Sequence, residues 1–486
     1  MENRIYGIFT VISVAILYFL AFRKFKEDKF GLSVLLIICG GLLFRIFVSF
    51  DMYLHEWDER YHALVAKNLI DNPWVPMLYT NPVLPYDYTE WWSNHVWLHK
   101  QPFPLYSMAL SMWIFGKNVI ALRLPSIILS TVAIFSTYKI GDLLVSKRVG
   151  LLAAFLFSIN GLIIEQTGGR VATDHIDVFF FSLINIAVHH FLRSTQKDSW
   201  KGFIFASCLT GFAILTKWLP ALIVLPLWII YSYGKLSSRV LLLRTVLFSI
   251  IVVVIVLPWQ MYISYNFPVE AAWEYAYNRK HFIGGLGHDH PFYWHWDKMR
   301  VIFGELVYLP FIWFIYFCVK FVLFKKGFSE RKLGKELRSY VLLFTWIIIP
   351  YVFFSFVVTK MQGYILFCAP AVFIMISIFF FRVLDKEINL CKLRSLVLIA
   401  LIALPIRYSI ERISPFSLRD RSPEWAIKCR EFGKQVSGDK AIIVNCDRPV
   451  EVMFYSGIPS YAEVPSEELL DSLRVEGYEV LDYGGY

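Results

Sequence analysis

Long apolar runs alternate with short charged stretches along most of the chain. Runs of roughly 17–24 residues match the ~30 Å of hydrocarbon that a helix must cross. They fall near 4–22, 30–50, 119–142, 149–167, 175–192, 202–217, 219–234, 240–261, 301–324, 340–358, 362–382 and 394–411, which predicts about twelve membrane spans. The Lys/Arg-rich loops 23–29, 139–148, 193–201, 235–244, 320–338 and 382–394 all fall on one side if the spans alternate. Basic loops stay in the cytoplasm, so that side is cytoplasmic. The outer side then receives three long segments, about 51–118, 262–300 and 413–486.

Within the first outer segment, residues 58–69 carry a helical period. Residues 102–115 form a second apolar stretch that Pro102 and Pro104 suit as a helix start. Both predict amphipathic helices on the membrane surface, among Trp57, Trp74, Trp91, Trp92, Trp97 and Trp113. From Pro415 the long apolar runs stop and charge rises. A helix over 423–432, a buried strand over Ala441–Asn445 and a helix over 466–473 predict a small α/β extracytoplasmic domain, 413–486, on an all-α polytopic membrane domain, 1–412.

Composition sharpens this. Of 486 residues, 57% are hydrophobic and 18% charged, against roughly 25% charged in soluble proteins. An ordinary soluble enzyme, a disordered chain and a disulfide scaffold are excluded. The net charge of +10 sits mostly in loops between apolar runs, where it sets topology and calls for no nucleic acid partner. Seven Cys without a CxxC pair indicate neither a redox nor a structural zinc site. Cys429 and Cys446 fit a disulfide or two buried thiols equally. The first apolar run lacks a basic leader and reads as a retained span.

Charged residues at the outer ends of spans are the candidates for chemistry. Asp58 and Glu59 can take a proton from a hydroxyl or simply favour a helix N-terminus. Asp174 and Asp177, spaced i, i+3 after Gly168-Gly169-Arg170, can share a helix face or cap it beside Arg170. Lys217 lies amid about 30 apolar residues and needs an anion, a water path or a snorkelling route. Lys100 and Lys360 hold comparable positions, and converging lysines suit a lipid phosphate. Most of the 11 His, including His99, His281 and His288, fall in outer segments, without a strict metal spacing such as HExxH.

In order, Trp57-Asp58-Glu59-Arg60-Tyr61, Leu98-His99-Lys100-Gln101-Pro102, Arg123-Leu124-Pro125-Ser126, Arg170 to Asp174, Leu215-Thr216-Lys217, Leu257-Pro258-Trp259, His288-Asp289-His290-Pro291 and Thr359-Lys360-Met361-Gln362-Gly363-Tyr364 resemble the GT-C membrane glycosyltransferases. The resemblance covers about 50–370 and is strongest to the branch of protein O-mannosyltransferases and aminoarabinose lipid A transferases. It implies a GT-C fold, a polyprenyl-phosphate sugar as donor, and an extracytoplasmic acceptor hydroxyl on a lipid, polysaccharide or protein. It implies inverting displacement, with Asp58 as base assisted by Glu59, and Asp174 or Asp177 as second carboxylate. Lys100, Arg170, Lys217, Arg279 or Lys280, Lys360 and Tyr364 are the implied donor or phosphate contacts. A divalent metal is implied at the positions held here by His99 and His288. The competing class, a transporter or flippase of polyprenyl-linked sugars or small solutes, would place charge at the bilayer midplane, often with internal repeats. Here the acids sit at the outer surface and no repeat shows.

Overall fold

A computed structural model describes residues 2–324, 334–384, 391–435 and 440–485. Helices α1 (Glu2–Lys26) and α2 (Phe30–Ser49) pack against each other across a short basic turn. The first outer segment contributes α3 (Asp58–Asp71) and α4 (Pro102–Phe115). Pro102 opens α4, where its missing N–H costs nothing, and Gly116 at φ 92° ends it. Asn118 caps α5 (Val119–Leu144), its side chain accepting from the Ala121 amide at 2.9 Å.

The next predicted span is broken. Helices α6 (Lys147–Ser158) and α7 (Gly161–Thr167) meet at 54°. Asn160 causes the bend, because its side chain accepts from the Ile163 amide at 3.1 Å and starts a new helix. Helices α8 (His175–Lys197) and α9 (Trp200–Lys217) follow. Trp218, at φ 65°, stops α9 before a 3₁₀ turn (Leu219–Ile223) and α10 (Val224–Ser232). Then come α11 (Ser238–Asn266), the outer-segment helix α12 (Pro268–Ile283), and α13 (Trp294–Phe303) with α14 (Tyr308–Phe324). These last two turn through 117° at Gly304. Helix α15 (Lys335–Phe356), a 3₁₀ turn (Gln362–Cys368), α16 (Ala369–Leu384) and α17 (Cys391–Ile413) complete the apolar part.

Seven helices among the described residues are long and apolar enough to cross a membrane, or nine if each bent pair is one span. Length and composition among the described residues thus support seven to nine of the expected twelve. Lys201 and Lys217 at the ends of α9 lower its mean hydropathy, and Leu219–Ser232 is a shorter apolar element, so neither counts by length and composition alone. Parts of two expected basic loops, 325–333 and 385–390, lie outside the described residues. The chain is a polytopic all-α membrane protein with a small β element near its C-terminus.

Helix α8 is the axis of the bundle. Its apolar window is 94% buried against α5, α9 and α10, whereas those of α1 and α11 are 17% buried and form the rim. The last segment holds α18 (Glu424–Gln435), β1 (Ala441–Val444), α19 (Pro449–Ser456), α20 (Glu467–Val475) and β2 (Glu479–Asp482). Strands β1 and β2 pair in parallel, Ala441 opposite Glu479. Cys429 and Cys446 are buried, unpaired thiols. Helix α19 presses Val450, Met453 and Phe454 onto Leu64, Leu69 and Met112. Arg60 bonds Glu451 at 3.3 Å, and Lys67 Nζ donates to the Phe454 carbonyl at 2.6 Å. The C-terminal segment is thus packed onto α3.

Candidate active site

Two connected cavities meet beside the N-terminal ends of α3 and α8. One is a polar chamber of about 120 Å³, walled by Asp58, Lys100, Asp174, Asp177, His281 and Lys217, among others. The other is an apolar groove of about 820 Å³, walled by Leu219, Leu222, Pro226, Phe282, Phe353 and Phe367 with Arg279. Lys217, Trp218, Asn278, His281 and Tyr364 line both, so the chamber opens into the groove. Trp218 holds a left-handed backbone at this junction, uncommon for a bulky side chain.

The chamber alternates acids and ammonium groups. Asp58 Oδ2 stands 3.1 Å from Lys100 Nζ. Lys217 Nζ pairs with Asp177 and lies 4.3 Å from the Tyr364 ring centroid. Burial presses the Lys100 pKa down, but Asp58 overcomes it and leaves the ammonium more basic than usual. Asp174 caps α8 through the Ile176 amide at 3.5 Å, with His62 Nδ1 3.4 Å away. Its Oδ2 is buried without a hydrogen-bond partner among the described residues. Burial raises the Asp174 pKa, yet the neighbouring histidines hold it below the ordinary value. His281 is pushed down to about 4 by burial and by Lys100, Lys217 and His288. The chamber can therefore offer carboxylates to a hydroxyl proton and ammonium groups to an anion, beside a wall suited to an acyl or prenyl chain.

Known proteins resemble this chain in sequence and in fold. A family model described as dolichyl-phosphate-mannose-protein mannosyltransferase matches residues 99–259. The undecaprenyl phosphate-alpha-4-amino-4-deoxy-L-arabinose arabinosyl transferase of Pseudomonas aeruginosa (strain LESB58) is 24% identical over 352 residues, 69% of this chain and 57% of that protein. The Serratia proteamaculans (strain 568) protein of the same name is 22% identical, over 72% of this chain and 59% of its own. The chain thus spans under two thirds of the length of these curated relatives. Among solved structures, ArnT from Cupriavidus metallidurans bound to undecaprenyl phosphate superposes with a TM-score of 0.62 at 14% identity, covering 93% of this chain and 90% of that one. The chain has a GT-C-like fold. The archaeal oligosaccharyltransferase AglB from Archaeoglobus fulgidus shares the fold more distantly, with a TM-score of 0.55 at 13% identity over 89% of this chain and 64% of that one.

Of the residues singled out from the sequence, Asp58, Lys100, Asp174, Asp177, Lys217, Tyr364 and His99 come together around the chamber, and Arg279 lines the groove. The rest lie elsewhere. Glu59 is fully buried and turned into a cluster with Arg123, His55 and His175. Arg170 donates to Asp51 at 2.9 and 3.1 Å and to the Ile413 carbonyl at 3.0 Å. Lys360 Nζ is held by the carbonyls of His290 and Val357. Lys280, in the last turn of α12, borders neither cavity.

Among the described residues, neither histidine implied for a metal belongs to a three-ligand cluster. His99 stacks on Trp91, centroids 4.4 Å apart, and faces Glu274 Oε2 at 3.3 Å. The carbonyl of His288 accepts from the Lys360 amide at 2.9 Å. Among the described residues no group of three His, Cys, Asp or Glu side chains is arranged to hold a metal ion. A solved structure of the Archaeoglobus fulgidus oligosaccharyltransferase is a complex with Zn and sulfate, but the donor set here does not fit a closed site.

Three residues near the chamber escaped the sequence reading as a set. Glu274, Asn278 and His281 follow i, i+4, i+7 on α12, and that spacing is the signal that places them on one stripe. Glu274 is pushed up to about 8 by burial, with Lys100 pulling the other way. Its Oε1 is buried and without a hydrogen-bond partner among the described residues.

Proposed function

We propose that this protein is an integral membrane glycosyltransferase. It moves a sugar from a polyprenyl-phosphate donor to an extracytoplasmic acceptor hydroxyl on a lipid, polysaccharide or protein. The observation that carries this reading is the junction at Lys217 and Tyr364, where a chamber of acids and lysines opens into a large apolar groove. A prenyl chain fits the groove, and its phosphate then reaches Lys217 and Arg279 while the sugar enters the chamber. The arabinosyl transferase relatives are named for undecaprenyl phosphate, a lipid phosphate of this kind.

The chemistry follows from the groups present. Asp58 removes the proton from the acceptor hydroxyl. The acceptor oxygen bonds to the anomeric carbon as the bond from that carbon to the phosphate oxygen breaks. The electron pair leaves with polyprenyl phosphate, and Lys217 and Lys100 stabilise the new negative charge. Because attack and departure occur on opposite faces, the configuration inverts. Asp174 and Asp177 hold the sugar and the lysines, and no step passes through a metal.

In this reading residues 1–412 form the catalytic membrane domain, with α9, Leu219–Ser232 and α17 completing about twelve passes, and 413–486 form a small outer domain. The basic loops face the cytoplasm and the chamber opens on the outer face of the cell's inner membrane.

The test is direct. Purified protein, given undecaprenyl phosphate carrying 4-amino-4-deoxy-L-arabinose or mannose and a lipid extract of the source cells, should release undecaprenyl phosphate. Release that needs no acceptor, or none with either donor, would remove the transferase reading from these substrates. The sugar carried by lipids that accumulate in cells lacking the protein identifies the natural donor.

A further inference from the structure

Each of the two chamber acids at a helix start has its chain neighbour in the buried cluster behind the chamber. Asp58 precedes Glu59, and Asp174 precedes His175. Glu59 Oε1 accepts from His175 Nε2 at 3.0 Å, and both residues are fully buried. Helices α3 and α8 otherwise share little direct packing. The Glu59–His175 bond is therefore a principal tie between the two helix ends that aim Asp58 and Asp174 at the same space.

The surroundings leave this bond little freedom. Glu59 Oε1 also accepts from Arg123 Nε at 2.6 Å, and Oε2 accepts from Arg123 Nη2 at 2.8 Å and from the His55 amide at 2.7 Å. The carboxylate has no lone pair left for a substrate. A carboxylate accepts only, so Nε2 of His175 carries the proton. Ser126 Oγ, 2.8 Å from Nδ1, fixes the ring's orientation from α5. Gly169, at φ 73°, crosses directly over the pair. A Cβ there would lie 2.3 Å from Glu59 Oε1 and 3.0 Å from His175 Nε2. No other residue type fits the crossing.

We propose that Glu59 and His175 are positioning residues that set the spacing of Asp58 and Asp174, with Gly169 making room for their bond and Ser126 orienting the imidazole. This rests on the transferase reading above and gives Glu59 a role one step removed from the substrate. Reacting groups displaced by about 1 Å can lose roughly 10²-fold in rate, so the effect falls on turnover and not on donor capture, which belongs to Lys217 and the groove.

The experiment measures kcat and KM for undecaprenyl-phosphate-linked 4-amino-4-deoxy-L-arabinose or mannose, whichever the wild-type chain turns over, in lipid nanodiscs. His175→Phe should lower kcat by about 10–10²-fold with KM for the donor unchanged. His175→Gln, whose Nε2–H can still reach Glu59, should recover most of that loss. Ser126→Ala should lower kcat by a smaller factor in the same manner, and serves if the Phe variant does not fold. Wild-type kcat in His175→Phe, a KM rise matching the kcat loss, or a Gln variant no better than Phe would each overturn the positioning role; so would wild-type kcat in Ser126→Ala where that variant stands in. An inactive wild-type chain would instead strike the transferase reading, so the two failures are told apart.

Discussion

Arg123 grips Glu59 with two parallel hydrogen bonds, Nε to Oε1 at 2.6 Å and Nη2 to Oε2 at 2.8 Å, with both side chains fully buried. Burial would lift the Glu59 pKa, but Arg123 and His55 hold it well below the ordinary carboxylate range. Removing one member leaves the other charged, buried and unpaired. Arg123→Met is expected to cost about 3–5 kcal/mol of stability. The half-buried case is Asp58 with Lys100; an Asn side chain keeps an acceptor oxygen for the ammonium, so Asp58→Asn should cost only about 1 kcal/mol. Thermal unfolding of both variants in the same detergent checks the contrast.

Asp58→Asn should nonetheless be the more damaging change to turnover. It keeps the shape of the side chain and removes its capacity to take a proton. A general base contributes about 10²–10⁴-fold, and a loss of that size with wild-type unfolding behaviour is the expected result. Full activity in this variant would take the base assignment away from Asp58.

Lys217 and Lys360 looked alike as lysines near the outer ends of apolar runs, yet only Lys217 lines both cavities. Lys360 spends its ammonium on the backbone carbonyls of Val357 and His290. Lys217→Met is expected to lower kcat/KM by about 10²–10³-fold, the scale for removing a preorganised charge from a leaving group. Lys360→Met should leave kcat/KM close to wild type and act mainly on the connection between α15 and the Gln362–Cys368 turn. Steady-state kinetics of the pair separates the two lysines.

The same comparison marks what the sequence could tell. Pro102 and the apolar stretch after it place α4 where expected, and the helical period at 58–69 falls inside α3. These are local signals, set within a few residues. Asp58 and Glu59 are adjacent carboxylates, and nothing local separates them. One residue of helix turns a side chain by about 100°, and Arg123, far along the chain, decides which of the two is buried. The bend at Asn160 and the lysines at the ends of α9 keep those segments off the seven long apolar helices for a related reason. Hydropathy averages over a window, while a single side-chain cap or terminal charge shortens or breaks a helix.

A chelator tests the metal expectation attached to His99 and His288. His99 is committed to Trp91 and Glu274, and burial holds its pKa well below the ordinary value, so it stays a neutral ring. If no metal acts, the transfer rate should be the same in EDTA as in added Mg²⁺, Mn²⁺ or Zn²⁺. A rate that collapses in EDTA and returns with one of these ions would restore the metal and require His99 to leave Glu274.

Glu274 supplies a pH signature that His281 does not obscure. Its folded pKa, about 8, lies above the ordinary value of 4.5. Between those limits the folded chain holds a proton that the unfolded chain has released, so stability falls as pH rises. The contribution is fully present below about pH 4.5 and is lost as pH passes about 8. His281, lowered to about 4 from 6.5, works in the opposite sense: its folded form stays neutral while the unfolded form charges, so stability rises with pH across that window. Glu274→Gln keeps a neutral side chain at every pH and leaves His281 as it is. The stability of this variant relative to wild type should therefore climb from about pH 5 to about 8 and level off above, because in that window only the wild type gains an ionised, solvated carboxylate on unfolding. A difference that stays flat over that range would mean that Glu274 is already ionised beside Lys100 at low pH, and that the α12 stripe carries a fixed negative charge into the chamber wall.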